Sequence, residues 1–276
     1  MNFKSIISTI ALLAIPFMSQ AQDPPTTGTF LGDAGLIITS ENNDVRLWSH
    51  PPRVLVLFEG EDVSPRLEKV RKVIEENVSP FYADTVFGEW IYSELPTDLG
   101  EGSHKMHMRY LKGGPAGYEL EVRLDDERIW VTDIVIAMAK RPKIAIMNGL
   151  WALDRKMNRA MMRAGRSNCF YSSQSRKGVR IAAYVTIVRY AHLARDIEEC
   201  VWEELLHTLG PLNDAKGSPY FTFDDQPGLE HKKQANDILL LKSLYESGAR
   251  PGDPPDAILE HLKKLMKEPG AVEIRP

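Results

Sequence analysis

Cysteine is scarce in this chain, which carries only Cys169 and Cys200. Long apolar runs are absent after the N-terminus, so no later segment reaches the roughly 20 residues a membrane-crossing helix needs. Neither sign of charge dominates: 34 Lys and Arg face 38 Asp and Glu, for a net charge of −4. That mild, interspersed balance excludes an electrostatic case for nucleic acid or an anionic membrane as partner. No glycine-rich phosphate loop follows a strand anywhere, so nucleotide binding has no support. There is no internal repeat and no low-complexity segment. Apolar residues make up 43% of the chain, enough for a sizeable core.

The N-terminus reads as a cleavable export signal over residues 1–21. Lys4 supplies the positive charge, and Ile6 to Phe17 is an apolar stretch broken only by Ser8, Thr9 and Pro16. Ser19-Gln20-Ala21 then places small residues where a signal peptidase acts. No cysteine lies near that point, so a lipid-modified N-terminus is not expected. The mature chain is expected to be soluble and periplasmic or extracellular. In an exported protein an even pair of cysteines reads as a disulfide. The Cys169–Cys200 loop of about 30 residues would make that bond contribute on the order of 3–4 kcal/mol.

Residues 22–44 read as a flexible linker, its first part rich in Pro, Thr and Gly, followed by a single domain over 45–276. Val45 to Trp48 and Arg53 to Phe58 are expected as strands. Ser64-Pro65 opens a helix with Leu67, Val70, Ile74 and Val78 as its buried stripe. Further strands are expected over Thr85 to Ser93, Tyr118 to Leu124, Ile129 to Ala139, Cys169 to Ser172 and Val179 to Tyr190, with a helix over Leu150 to Arg163. Asp196 to Leu209 has the strongest helix signal: Asp196 and Glu199 form a capping box and Gly210-Pro211 ends it. An irregular stretch follows to Gly228. Two more helices, His231 to Glu246 and Asp256 to Lys267, flank a Pro/Gly break. The order implies an α+β fold, a mixed sheet covered by helices with a helical C-terminal part.

Glu203-Glu204-Leu205-Leu206-His207-Thr208-Leu209-Gly210-Pro211-Leu212-Asn213-Asp214 is the informative segment. A spacing of four puts Glu203 and His207 on one helical face. The layout is that of H-E-x-x-H zinc proteases, in which two histidines bind zinc and the glutamate activates water. In the longer zincin pattern a glycine turns the chain toward a third ligand. Here Gly210 holds the glycine position and Asn213 the third-ligand position, while Glu203 replaces the first histidine. The plain alternative is a surface Glu–His pair contributing a few tenths of a kcal/mol. His104 and His107 have ligand-like spacing in what reads as a solvated loop. His192 precedes the helix and is in reach of the site. Ser218 and Tyr220 are candidates for lining a cleft, but Ser218 has no visible base. Met161, Met162 and Trp202 read as core.

The stretch Cys-Val-Trp-Glu-Glu-Leu-Leu-His-Thr-Leu-Gly-Pro-Leu-Asn-Asp (200–214), with Ser218 to Phe223 and Ala235 to Gly252, resembles the proteobacterial domain-of-unknown-function family twenty-nine twenty-seven. Its members are exported and often described as lipoproteins. The resemblance runs from about Trp48 to about Ala257 and implies no activity; the zincin-like fold is expected from the motif frame. His207 stands where the family tends to have glutamine, which makes this chain more competent for metal. Asp253 stands where a metzincin's methionine turn would fall.

Two functions follow as expectations. One is a zincin-like scaffold without proteolysis that binds a peptide, a glycan or an envelope protein and needs no cofactor. The other is an unconventional zinc hydrolase, with Glu203, His207 and Asp214 on the metal and Glu204 as general base.

Overall fold

Three neighbouring strands carry apolar side chains on both faces, and that pattern sets the architecture. In β1 (Val54–Phe58), Val54 and Val56 enter one core while Leu55 and Leu57 enter another. β6 (Ile134–Ala139) divides the same way, with Ile134, Ile136 and Met138 against Val135, Ala137 and Ala139. A strand's side chains alternate between faces, so a continuous apolar run must be covered on both sides. The computed structural model, which describes residues 29–60, 64–78, 86–99, 106–151, 169–188, 194–223 and 231–267, is accordingly three layers deep.

The central layer is a five-stranded mixed sheet in the order β2-β1-β6-β8-β7. β2 is Trp90–Glu94, β7 is Cys169–Arg176 and β8 is Val179–Val188. β2, β1, β6 and β8 run parallel, and β7 pairs antiparallel with β8 at the edge. A hairpin turn with Lys177 and Gly178 both at positive φ joins β7 to β8, the conformation a tight two-residue turn needs. Gly178 cannot be replaced, because a Cβ there would lie 2.0 Å from the backbone nitrogen of Gly252.

One face of the sheet is covered by α3 (Arg141–Trp151) and a three-stranded antiparallel sheet, β3 (His107–Lys112), β4 (Tyr118–Arg123) and β5 (Ile129–Thr132). The other face carries α1 (Phe30–Ile38), α2 (Ser64–Asn77), α4 (Ala194–Leu209), α5 (His231–Glu246) and α6 (Asp256–Leu265). The Cys169–Cys200 disulfide joins β7 to α4. No helix among the described residues is long and apolar enough to cross a membrane.

Several expectations change. The linker expected over 22–44 is overturned in its second half, because α1 occupies 30–38 and buries Phe30, Ala34, Ile37 and Ile38. These residues recur at helical spacing, and Thr29 caps the helix by accepting from the Gly32 N–H at 3.1 Å. The run Ile129 to Ala139 is two strands in two sheets, divided at Asp133, whose carboxylate accepts the Arg53 backbone N–H at 2.8 Å. α3 spans Arg141–Trp151, and the helix expected over 150–163 lies outside the described residues beyond 151. Val45 to Trp48 makes a single bridge, Leu47 to Val179, rather than a full strand. α4 starts at Ala194, two residues ahead of Asp196. The export signal, residues 22–28, His104, Met161, Met162 and His192 lie outside the described residues.

Candidate functional site

The C-terminal end of α4 is anchored by side chains from three other parts of the chain. The last four carbonyls of a helix have no partner within it. Here side chains from elsewhere supply partners to the last two, Thr208 and Leu209, and to the Gly210 and Pro211 carbonyls that follow the helix. Trp48 Nε1 donates to the Thr208 carbonyl at 2.8 Å, and the Tyr245 hydroxyl donates to that of Leu209. The fully buried Arg180 guanidinium donates to Gly210 at 3.0 Å, to Pro211 at 3.2 Å and to the Arg46 carbonyl at 3.0 Å. A cation at this end also complements the helix dipole. Gly210 has no positive φ and is not needed for a left-handed turn. Its role is steric, since a Cβ would lie 2.7 Å from Cδ1 of the buried Leu244.

His207 sits in this anchored turn and is buried. Its Nδ1 lies 3.2 Å from the Pro211 carbonyl and its Nε2 lies 3.2 Å from Asp214 Oδ1. Tyr171 of β7 stacks on the imidazole with ring centroids 5.2 Å apart and planes at 13°, and Phe223 closes the other side at 4.8 Å. The Tyr171 hydroxyl accepts from Arg180, so one arginine links the helix end to the ring that packs on His207. Burial alone would lower the His207 pKa. The hydrogen bond and charge of Asp214, with the Glu204 and Glu203 carboxylates, outweigh it and raise the value to about 9. Burial would raise the partly exposed Asp214, but His207 and Lys216 hold it below the usual carboxylate range. Each thus favours the charged form of the other.

Glu203, His207 and Asp214 each bring one candidate ligand atom within 4.8 Å of the others. The sequence expected this trio, and the fold assembles it. Glu204 is buried beside it, and burial together with the neighbouring carboxylates pushes its pKa up to about 8 against the opposing charge of His207. Asn213, at the third-ligand position of the zincin frame, is held by α1 instead. Its amide donates to the carbonyls of Leu36 at 2.9 Å and Thr39 at 2.7 Å, closing the C-terminus of α1. The backbone N–H groups of Leu212 and Asn213 add bonds to the Ile37 carbonyl. Asp214, one residue later, is the group that reaches His207.

Other candidates disperse. Ser218 is buried and donates to Asp33 of α1 at 2.7 Å. Tyr220 packs edge-on against Phe30 at 5.5 Å. His107 is in β3, in the layer across the sheet, rather than in a loop. Trp202 is core as expected, its Nε1 donating to the buried Asp237 at 2.9 Å. Asp253 caps its own turn by accepting the Arg250 N–H at 2.8 Å. Tyr171 and Arg180 were missed because no local pattern marks them; their roles arise from a helix end some 30 residues away along the chain.

Residues 126–264, about half of the chain, match a protein family of unknown function, DUF2927. The chain belongs to this family. The matched segment runs from just before β5 into the last turn of α6 and contains Tyr171, Arg180, Glu203, Glu204, His207, Asp214 and Phe223, but not Trp48. No curated protein and no solved structure matches the chain.

Proposed function

We propose that this DUF2927 protein is an exported, zincin-like scaffold of the cell envelope that works by binding a peptide, a glycan or another envelope protein, and not by cleaving peptides. The observation that carries this reading is the set of partners on His207. Both ring nitrogens already face protein acceptors, Pro211 O and Asp214 Oδ1, each at 3.2 Å. A ring nitrogen that donates to a protein acceptor has no lone pair to offer a metal. The commitment of Asn213 to α1 points the same way, because it removes the side chain that the protease frame places third. The mixed sheet, with its antiparallel edge strand beside the motif helix, is in keeping with a zincin-like scaffold.

A second reading is favoured by the convergence of Glu203, His207 and Asp214. In it these three hold zinc and Glu204 activates a bound water as a hydrolase. One nitrogen and two carboxylate oxygens form an acceptable donor set for zinc, and the Pro211 carbonyl would fix the tautomer that leaves Nε2 for the ion. Metal analysis of protein purified without chelators separates the two. The binding reading expects substoichiometric zinc that His207→Ala does not change, and no hydrolysis of peptide substrates. About one zinc per chain, lost in His207→Ala, would overturn it in favour of the hydrolase.

A further inference from the structure

Two ties join β7 to α4 in register. Cys200 precedes His207 by two helical turns on the same stripe, and Cys169 precedes Tyr171 by two residues on the same side of its strand. The disulfide and the Tyr171–His207 stack are thus successive rungs between one helix face and one strand face, with Glu203 and Glu204 between them along the helix. The two elements are held very differently elsewhere. α4 is fixed at its C-terminus by Trp48, Tyr245 and Arg180. β7 is an edge strand with β8 as its strand neighbour, and its far end is fixed where the hairpin turn at Gly178 abuts Gly252. Its Cys169 end is held by the ladder to β8, in which Cys169 pairs with Ile187 and Tyr171 with Val185, by the Arg180 bond to the Tyr171 hydroxyl, and across to α4 by the disulfide.

We propose that the Cys169–Cys200 bond is a redox-controlled clamp: when oxidised it holds Tyr171 on His207 and completes this site, and when reduced it lets the Cys169 end of β7 move off an otherwise intact α4. The proposal rests on reading the end of α4 as the functional site. It would keep the site unassembled in a reducing compartment and assemble it in an oxidising one. The reductant is a dithiol. Its thiolate attacks the half-buried Cys169 sulfur, forming a mixed disulfide and expelling Cys200 as a thiolate that takes up a proton. The second thiol of the reductant, as thiolate, then displaces Cys169, which is protonated in turn. The two electrons and two protons gained by the cysteines come from the dithiol, which leaves as its own disulfide.

The test uses the full chain with no metal or ligand, so its outcome is separate from that of the proposed function. The His207 ring-proton shifts are measured by NMR at fixed pH, together with amide hydrogen exchange. Four samples are compared: oxidised protein, dithiol-reduced protein, a Cys169→Ser/Cys200→Ser variant and an oxidised Tyr171→Leu variant. The oxidised protein should show His207 protons displaced by the stacked Tyr171 ring, and Tyr171→Leu marks the shift without it. Reduction and the serine variant should move the signals toward the Tyr171→Leu position. Amide exchange near Cys169 and Tyr171 should speed up on the order of tenfold or more while Leu205 to His207 stay protected. Unchanged His207 shifts in reduced, folded protein would overturn the clamp. So would joint loss of protection in β7 and α4, or unfolding of the reduced chain, either of which makes the bond a staple of the whole fold.

Discussion

Replacing Arg180 by methionine tests whether one buried cation organises the end of α4. The guanidinium donates to the buried carbonyls of Gly210 at 3.0 Å and Pro211 at 3.2 Å, to the half-buried Arg46 carbonyl at 3.0 Å, and to the Tyr171 hydroxyl. Methionine occupies similar space but donates nothing. A hydrogen bond to a charged group contributes about 1.5–3 kcal/mol, so four would give roughly 6–12 kcal/mol if they simply added. Opposing this is the cost of keeping a guanidinium out of water, several kcal/mol, which the methionine variant no longer bears. The net loss expected from the orphaned acceptors is about 3–5 kcal/mol, the range for breaking a buried charged interaction. That is a large share of a total stability of about 5–15 kcal/mol. At about 2–4 °C per kcal/mol for a domain of this size, the thermal midpoint should fall by roughly 10 °C. Urea titration followed by circular dichroism gives the free energy, and a thermal scan gives the midpoint. Arg180→Lys should recover less than half of the loss, since one ammonium cannot reach carbonyls on two separate segments. A loss below about 1 kcal/mol in Arg180→Met would show that desolvation cancels the bonds and refute the anchoring argument.

Asn213→Ala removes two donors from the carbonyls of Leu36 and Thr39 and should cost about 1–2 kcal/mol by urea titration. Zinc content should stay that of the unmodified protein; a change would place Asn213 in the metal site after all. At the N-terminal ends of β1 and β6, burial would raise the Asp133 pKa, but hydrogen bonds from His50 and Arg53 hold it below the usual carboxylate range. A depressed folded pKa contributes stability that is complete above the ordinary carboxylate value and is lost as pH falls through the folded one. Urea midpoints measured from about pH 6 down to pH 2 should therefore fall less steeply in Asp133→Asn than in the parent chain; parallel slopes would contradict the assignment.

How far the sequence reaches is clearest at particular residues. Leu67, Val70, Ile74 and Val78 are buried as their spacing predicts, because helical periodicity is a local property. The Gly210-Pro211 stop and the Cys169–Cys200 pairing are likewise legible, from local turn chemistry and from an even cysteine count. α1 was hidden because Gly32 and Gly35 lie within its apolar pattern, while the contacts that stabilise it come from Leu212, Asn213 and Ser218 at the other end of the chain. The break at Asp133 was hidden for a similar reason, since the partner that takes the strand away is Arg53.

By itself, then, the sequence determined the motif helix, its Glu203–His207 spacing and the covalent bond to β7. All three depend on residues close along the chain or on a pairing with a single solution. Tertiary structure alone decided which residue completes the site. It turned Asn213 toward α1 and Asp214 toward His207, and it brought Tyr171, Phe223 and Arg180 around the imidazole. Neighbouring residues leave a chain reversal in different directions, and which one meets the histidine is fixed by the packing of α1, β7 and α5 around the end of the helix.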